Sequence, residues 1–207
     1  VNYNNQNYGG AIYTAYNYDS LVVRNSKFRY NKVYKPEGST NGGSADGGAI
    51  YTNNGRDQFL VSNSVFIGNE ALGSYYSYPE GGGHHNSGNS GAIEVRIESH
   101  WNGSAYSYPY KSIFINNTFV NNKAEGSGTN GGSGGALKYN GQQSTVLINN
   151  NFWGNTVNNY TDTTRWEIKD LFSNGSSVMV IAHNNFRYAT ARANSYGDNN
   201  ISRDPQF

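Results

Sequence analysis

The chain has 207 residues and a formal net charge of +1, and only 14% of its residues are charged. Such a balance gives no basic surface for nucleic acid, so we expect no nucleic-acid partner. No apolar run approaches the roughly 20 residues that a transmembrane helix needs, so we predict no membrane span. The absence of cysteine excludes disulfides and thiolate metal sites.

A two-part phrase recurs along the chain. The first part is Gly-Gly-Ala-Ile or a close variant, and it stands at residues 9–12, 47–50, 90–93 and 134–137. The second part is N-x-x-F-x-x-N, with a decayed fifth copy that has His183 and Ala189 in place of asparagines. Its copies are Asn25, Phe28, Asn31; Asn63, Phe66, Asn69; Asn116, Phe119, Asn122; Asn149, Phe152, Asn155; and Phe186. Repeats of this length indicate a solenoid-like architecture.

Each repeat holds three short runs of β-branched and aromatic residues separated by turn residues, and none shows helical spacing. This pattern predicts a right-handed parallel β-helix of about five coils. The phenylalanines and the asparagines of the phrase are expected to face inward and stack as ladders about 4.8 Å apart. We predict a single domain, 1–207, with coil repeats near 9–33, 47–71, 90–124, 134–157 and 166–190 and a closing turn at 201–207.

The GGAI and FxxN motifs of this chain resemble the repeats of chlamydial polymorphic membrane proteins and of adhesin-like β-helix proteins from methanogenic archaea. The resemblance covers nearly the whole chain, from Gly9 to Ala189. It implies a β-helix and an extracellular, cell-surface location. It differs in its unusually long loops and in the lack of an anchor or translocating barrel, and it supplies no binding site to transfer.

Two long loops contain similar tyrosine-rich sequences, and both are candidate binding surfaces. Their tyrosines either cover the outside of the β-helix or contact glycans or protein partners. The candidate residues are Tyr75, Tyr76, Tyr78, Tyr106, Tyr108 and Tyr110.

Five N-x-S/T sequons occur, at Asn102, Asn116, Asn159, Asn174 and Asn200. We expect glycans on Asn102, Asn159 and Asn174 if the source organism glycosylates, because these three lie in loop-like surroundings. Asn116 is expected to face inward and to stay unmodified.

An apolar stripe is predicted on the strand before the Asn/Phe phrase. If the asparagines face inward, alternation places Val23, Val61, Phe114, Leu147 and Ile181 inward as well. The intervening row then faces outward, and its members are Val22, Leu60, Ile113, Val146 and Val180. A stacked aliphatic row is rarely left in water, so either the long loops or another subunit should cover it.

The best polar cluster lies on the strand after the GGAI phrase. The outward row there is predicted to contain Tyr13, Tyr51, Glu94, Lys138 and Lys169, and Arg96 and Glu98 follow Glu94 by alternation. Glu94, Glu98 and Lys138 are therefore the candidate catalytic residues of a carbohydrate-active β-helix enzyme, either a lyase or a hydrolase. The alternative is a set of exposed ion pairs.

No cofactor or metal motif accompanies these residues. The adjacent His84 and His85 point apart if they lie on a strand, and Ala136 stands where a calcium-binding β-roll needs aspartate. The sequence thus favours a non-enzymatic, extracellular structural or adhesin-like protein that assembles into a filament, sheath or layer through coil edges and the stripe. The alternatives are the carbohydrate-active enzyme and a monomeric glycan-binding module.

Overall fold

The computed structural model describes residues 7–17, 20–35, 43–54, 58–77, 83–85, 87–96, 100–101, 106–107, 111–126, 132–140, 144–158, 171–174, 179–187 and 198–206. Within these ranges the protein is all-β, and its strands stack in parallel sheets with no helix among them. Accordingly, no helix of the described chain could span a membrane. The parallel stacking is consistent with a parallel β-helix.

The strands are short, at two to six residues each. In chain order they are β1 (Asn7–Tyr8), β2 (Ile12–Asn17), β3 (Leu21–Arg24), β4 (Lys27–Arg29), β5 (Lys32–Tyr34), β6 (Ser44–Asp46), β7 (Ile50–Asn54), β8 (Phe59–Ser62), β9 (Val65–Ile67), β10 (Glu70–Leu72), β11 (Tyr75–Ser77), β12 (Gly83–His85), β13 (Ser87–Asn89), β14 (Ile93–Arg96), β15 (His100–Trp101), β16 (Tyr106–Ser107), β17 (Lys111–Ile115), β18 (Thr118–Val120), β19 (Lys123–Glu125), β20 (Leu137–Asn140), β21 (Ser144–Ile148), β22 (Asn151–Trp153), β23 (Thr156–Asn158), β24 (Leu171–Asn174), β25 (Met179–Ala182) and β26 (Asn185–Phe186).

Three parallel sheets of the described chain contain five strands each. The glycine-corner sheet is β2-β7-β14-β20-β24, the aliphatic sheet is β3-β8-β17-β21-β25, and the phenylalanine sheet is β4-β9-β18-β22-β26. Two smaller parallel sheets are β5-β10-β19-β23 and β1-β6-β13, and two antiparallel hairpins pair β11 with β12 and β15 with β16. Neighbouring strands in each parallel sheet come from successive copies of the sequence repeat, so equivalent residues lie above one another.

The phenylalanines of the phrase form the centre of the core, as predicted. Phe66, Phe119, Phe152 and Phe186 are fully buried, and Phe28 is half-buried at the end of the stack. Their rings stack nearly parallel with centroid separations of 4.8 to 4.9 Å. That spacing equals the distance between adjacent strands, so the ladder follows from the register alone.

Two ladders of polar side chains flank the phenylalanines, and one of them was predicted. Asn31, Asn69, Asn122 and Asn155 stack in sequence, and each side-chain Nδ2 donates to the next Oδ1 at 2.9 Å. The same Oδ1 atoms also accept the backbone N–H of the preceding repeat's asparagine, at 3.0 to 3.1 Å. These bonds satisfy backbone groups at a corner, where the strands no longer pair.

The other ladder is one residue away from the predicted position. The first asparagines of the phrase, Asn25, Asn63, Asn116 and Asn149, are exposed and have φ values between 49° and 56°. The prediction that they face inward is therefore wrong, although they do bond to one another in an exposed ladder: Asn116 Nδ2 donates to Asn63 Oδ1 at 3.2 Å, and Asn149 Nδ2 donates to Asn116 Oδ1 at 2.7 Å. Each occupies a left-handed corner, which interrupts the alternation of the strand and directs the following residue inward. The inward ladder consists of Ser26, Ser64, Asn117, Asn150, Asn184 and Asn200.

The second glycine of the phrase is required by close contact between repeats. A Cβ on Gly48 would lie 2.0 Å from the carbonyl oxygen of Gly91, and one on Gly91 would lie 2.2 Å from that of Gly135. Neither contact is sterically possible, so any side chain here would push successive layers apart. This explains why the phrase retains glycine at this position in all four copies.

The segment 198–206 lies against the β25 and β26 layer at one end of the described strands. Asn200 extends the inward ladder, because its Oδ1 accepts both the backbone N–H and the Nδ2 group of Asn184. Ile201 forms a parallel bridge with Asn185. Asn200 is itself a sequon residue, yet it is buried, so a glycan there is incompatible with this fold.

The adjacent residues Asn116 and Asn117 provide a matched test of this corner. Asn117 bonds Ser64 N, Val61 O and Asn150 Oδ1 from a buried position. Asn117→Ala should therefore lower the free energy of unfolding by about 3 kcal/mol, because several buried groups lose their partners. Asn116→Gly should change it by less than about 1 kcal/mol, since glycine adopts positive φ readily. Urea denaturation followed by circular dichroism measures both, and equal losses would contradict the assigned ladder.

Candidate functional site

The predicted apolar stripe is present on the outer face of the aliphatic sheet. Val22, Leu60, Ile113, Val146 and Val180 are partners in register across five strands. The end members Val22 and Val180 are 48% and 44% exposed, and the three central residues are half-buried. The stripe is thus accessible along its whole length.

A second apolar column lies beside the stripe and was not predicted. Ile115 and Ile148, both half-buried, follow the stripe residues by two positions and are partners in register. The same column continues to Ala182 at one end, and changes to Ser62 and Arg24 at the other. The inward–outward alternation of the strand, continued two residues beyond each stripe residue, predicts this column. The apolar face is therefore wider toward the β25 end.

A second candidate site is a buried polar cluster, which we call the corner cluster and define as Asp46, Tyr51, Glu94, Arg96 and Lys138. Tyr51, Glu94 and Lys138 are partners across β7, β14 and β20, as the outward row predicted. Asp46 comes from the neighbouring sheet, across the glycine corner, and sequence reasoning missed it. The sequence does indicate this contact, because Asp46 directly precedes Gly47-Gly48 and a turn at these glycines brings the two sheets together.

Three members of this row point outward but are buried, whereas Tyr13 at its end is exposed. Glu94 is 1% exposed, Tyr51 2% and Lys138 9%. The alternative of exposed ion pairs is therefore wrong. The fifth member was also misassigned, because Phe172 and not Lys169 is the partner of Lys138. Lys169 and Glu98 lie outside the described residues.

Glu94 is the centre of the corner cluster. Its Oε1 accepts a hydrogen bond from Asn140 Nδ2 at 3.1 Å and lies 3.8 Å from Lys138 Nζ. Its Oε2 is buried without a hydrogen bond of standard geometry. Burial raises the pKa of Glu94 well above its ordinary range, the nearby negative charge of Asp46 adds to the shift, and the charges of Lys138 and Arg96 oppose it. The environment thus favours the neutral acid.

Asp46 is the second buried acid of the cluster. Its carboxylate oxygens accept hydrogen bonds from Ser44 Oγ at 2.7 Å and from Asn89 Nδ2 at 2.8 Å. Burial raises the pKa of Asp46, although these two hydrogen bonds lower it in part. Two carboxyl groups in one buried site hold a proton at pH values where isolated carboxyls have lost theirs.

Three tyrosine rings form the edge of the corner cluster toward the β2 end. The ring of Tyr51 lies 4.1 Å from that of Tyr8 and 5.7 Å from that of Tyr13, centroid to centroid. Burial raises the pKa of Tyr51, and its hydroxyl hydrogen-bonds with Arg96. Only the outermost ring, that of Tyr13, is substantially exposed, at 52%.

The other predicted residues lie partly or wholly outside the described structure. Tyr75, Tyr76 and Tyr106 lie in the two hairpins, where their backbone is described but their side chains are not. Tyr78, Tyr108, Tyr110, Asn102 and Asn159 lie outside the described residues, as does the side chain of Asn174. Within the described part of the chain, no group of three or more histidine and acidic residues is arranged to hold a metal.

Comparison with protein-family models, curated proteins and solved structures finds no match to this chain. The resemblance to polymorphic membrane proteins and adhesin-like proteins therefore stays a prediction. The stripe and the corner cluster are the two features of the described residues that bear on function.

The raised pKa of Asp46 gives a test of the corner cluster. The unfolded chain loses this proton above the ordinary pKa of 3.8, whereas the folded chain retains it longer. The group therefore stabilises the fold fully below pH 3.8, and that contribution is lost as the pH rises through the folded pKa. Asp46→Asn cannot ionise, so its free energy of unfolding should decline less steeply above pH 3.8 than that of the wild type. Parallel pH profiles from chemical denaturation would contradict the assignment.

Proposed function

We propose that this protein is an extracellular, cell-surface structural or adhesin-like protein, built as a right-handed parallel β-helix of about five coils. The right-handed winding rests on the general preference of parallel crossover connections, about 98% of which are right-handed. The surface location rests on the resemblance of the GGAI and FxxN motifs to those of surface proteins, and on a composition of 33 asparagines and 18 tyrosines with few charges. Its activity is contact with other copies and with glycans or cell-surface partners.

The observation that carries this proposal is the accessible aliphatic stripe. Five aliphatic side chains in register, with Ile115 and Ile148 beside them, form a continuous apolar face on a protein whose mean hydropathy is low, at -0.74. Apolar residues scattered singly on a surface need no explanation, but a contiguous face indicates an interaction site. Its repeating register suits the equivalent face of a second copy.

The size of the face favours a polymer over an isolated dimer. Five rows about 4.8 Å apart, with a second apolar column beside three of them, amount to on the order of 200 Å². A stable pairwise interface buries about 800 Å² on each partner. The contact must therefore include neighbouring surfaces, or be repeated many times in one assembly so that weak contacts add up. A filament, sheath or layer meets the second requirement.

A carbohydrate-active enzyme is the second candidate, and one observation favours it. Asp46 supplies a second carboxyl group next to Glu94, and glycoside hydrolases use such pairs. The burial of Glu94 argues against it, because a polysaccharide needs an open groove to reach both acids. We therefore rank assembly first.

Val146→Asp tests the assembly proposal at the middle of the stripe. Burying an unpaired carboxylate in an apolar contact costs about 3 kcal/mol or more, so association should weaken by roughly 100-fold. Electron microscopy and sedimentation velocity of the purified protein measure the change. We expect ordered assemblies from the wild type and dispersed particles from the variant.

Thr156→Asp is the matched control, because Thr156 is exposed on a different sheet, at β23. It should assemble as the wild type does. If Val146→Asp assembles as the wild type does, the stripe is not the interface. If the wild type releases reducing ends from a polysaccharide and Glu94→Gln does not, a carbohydrate-active enzyme becomes the better-supported function.

A further inference from the structure

We propose that Lys138 and Glu94 condense to form an amide cross-link between β14 and β20, a covalent bond that joins two successive layers of the stack. The two residues are direct partners in parallel register, and Lys138 Nζ lies 3.8 Å from Glu94 Oε1. This is a modification site, and it is independent of the assembly proposed above.

The geometry places the amine and the acid together without requiring movement of either strand. Glu94 and Lys138 lie on the same outer face, and each is held by the strand pairing on both sides, since β14 also pairs with β7 and β20 with β24. Fixing two reacting groups in contact replaces a bimolecular encounter with a unimolecular step. Effective concentrations in such arrangements reach roughly 10⁵ to 10⁸ M.

Burial removes the main obstacle to this condensation. In water a carboxyl and an amine exchange a proton and become ions, and the solvated ions do not condense. Glu94 is fully buried and its Oε2 has no hydrogen bond of standard geometry, so its charged form is poorly stabilised here. The raised pKa of Glu94 reflects the same desolvation and keeps the acid neutral.

Asp46 is the base in the proposed reaction, because it is the other acid of the corner cluster and its charge interacts with that of Lys138. Its carboxylate accepts the proton that the Lys138 ammonium must lose, and the neutral Nζ then attacks Cδ of the protonated Glu94 carboxyl. The tetrahedral intermediate loses one water molecule, which takes the Glu94 hydroxyl oxygen, and the amide bond forms. The balance is one lysine ammonium, one carboxylate and one carboxylic acid giving one amide, one water and one protonated Asp46.

The remaining groups of the site have supporting positions. Asn140 Nδ2 donates to Glu94 Oε1 at 3.1 Å and therefore fixes the plane of the carboxyl group. Ser44 and Asn89 hold Asp46 in the same way. A cross-link here would also suit the composition, because a chain with no cysteine has no disulfide available to join its layers.

Mass spectrometry of the folded, purified protein tests the proposal directly. The expected intact mass is that of the sequence less one water molecule. Trypsin cannot cleave after a Lys138 that carries an amide, so the digest should contain one branched peptide in which 57–96 is joined to 124–165. Separate peptides 57–96 and 124–138, with the full sequence mass, would overturn the proposal.

Three variants assign the reacting groups. Lys138→Met should have its full sequence mass, and Asp46→Asn should slow the bond's formation by at least roughly 100-fold, as expected for loss of a general base. Glu94→Gln should still form the same branched peptide but lose one ammonia in place of water, because the glutamine amide nitrogen becomes the leaving group. A branched peptide that persists in Glu94→Ala would place the bond on another acceptor, such as Asn140, and contradict the assignment.

Discussion

The structure depends on polar side chains that connect one layer to the next at the corners of the stack. Strand residues satisfy their backbone groups by pairing, but the two corners that flank the phenylalanine sheet each leave a backbone N–H that only a side chain accepts. At each corner an asparagine or serine accepts N–H groups from one neighbouring layer. The asparagine Nδ2 also donates back to a carbonyl of that layer. Asn150 is typical, because its Nδ2 contacts Phe114 O and Asn184 Oδ1 while its own Oδ1 accepts Asn117 N. Register between layers is therefore set by side chains as well as by the sheets.

This constraint determines what the outer surface can present. Because each residue lies directly above its equivalent in the next repeat, any outward position becomes a column along the stack. A column of aliphatic residues becomes the stripe, and the column that contains Glu94 and Lys138 brings opposite charges into contact. At the glycine corner the chain turns into a neighbouring sheet, whose Asp46 lies near the column of Glu94 and Lys138, and this column is buried. One face is accordingly suited to association and the other to chemistry between buried groups.

Much of the fold could be predicted, and the errors have physical causes. The phenylalanine ladder and the Asn31 series follow from spacing, since identical residues at one-repeat intervals must stack in parallel register. The Asn25 series was misplaced because strand alternation was extended through a left-handed corner residue, where it does not hold. The sequence carried the needed signal in the polar residues that follow, Ser26, Ser64, Asn117, Asn150 and Asn184. A short polar residue at the same position in every repeat indicates an inward ladder.

The candidate sites were predicted less completely than the fold. The stripe required only alternation within one strand, so it was found, although its second column was not. The raised pKa of Glu94 depends in part on Asp46, which is 48 positions earlier in the sequence and belongs to another sheet. A pattern within one strand contains no information about such a neighbour. Contacts across the glycine corner therefore had to come from the structure.

The claim that side-chain amide ladders hold the layers in register is tested most directly by hydrogen exchange of the asparagine side chains. In NMR spectra of the ¹⁵N-asparagine-labelled protein, the Nδ2 protons of Asn69, Asn117, Asn122, Asn150 and Asn184 should exchange slowly. Those of Asn116 and Asn149 should exchange much faster, because the ladder that these two residues form in the same corners is exposed to water. Rapid exchange of all asparagine side chains in the folded protein would contradict the account, because it would mean that no buried ladder exists.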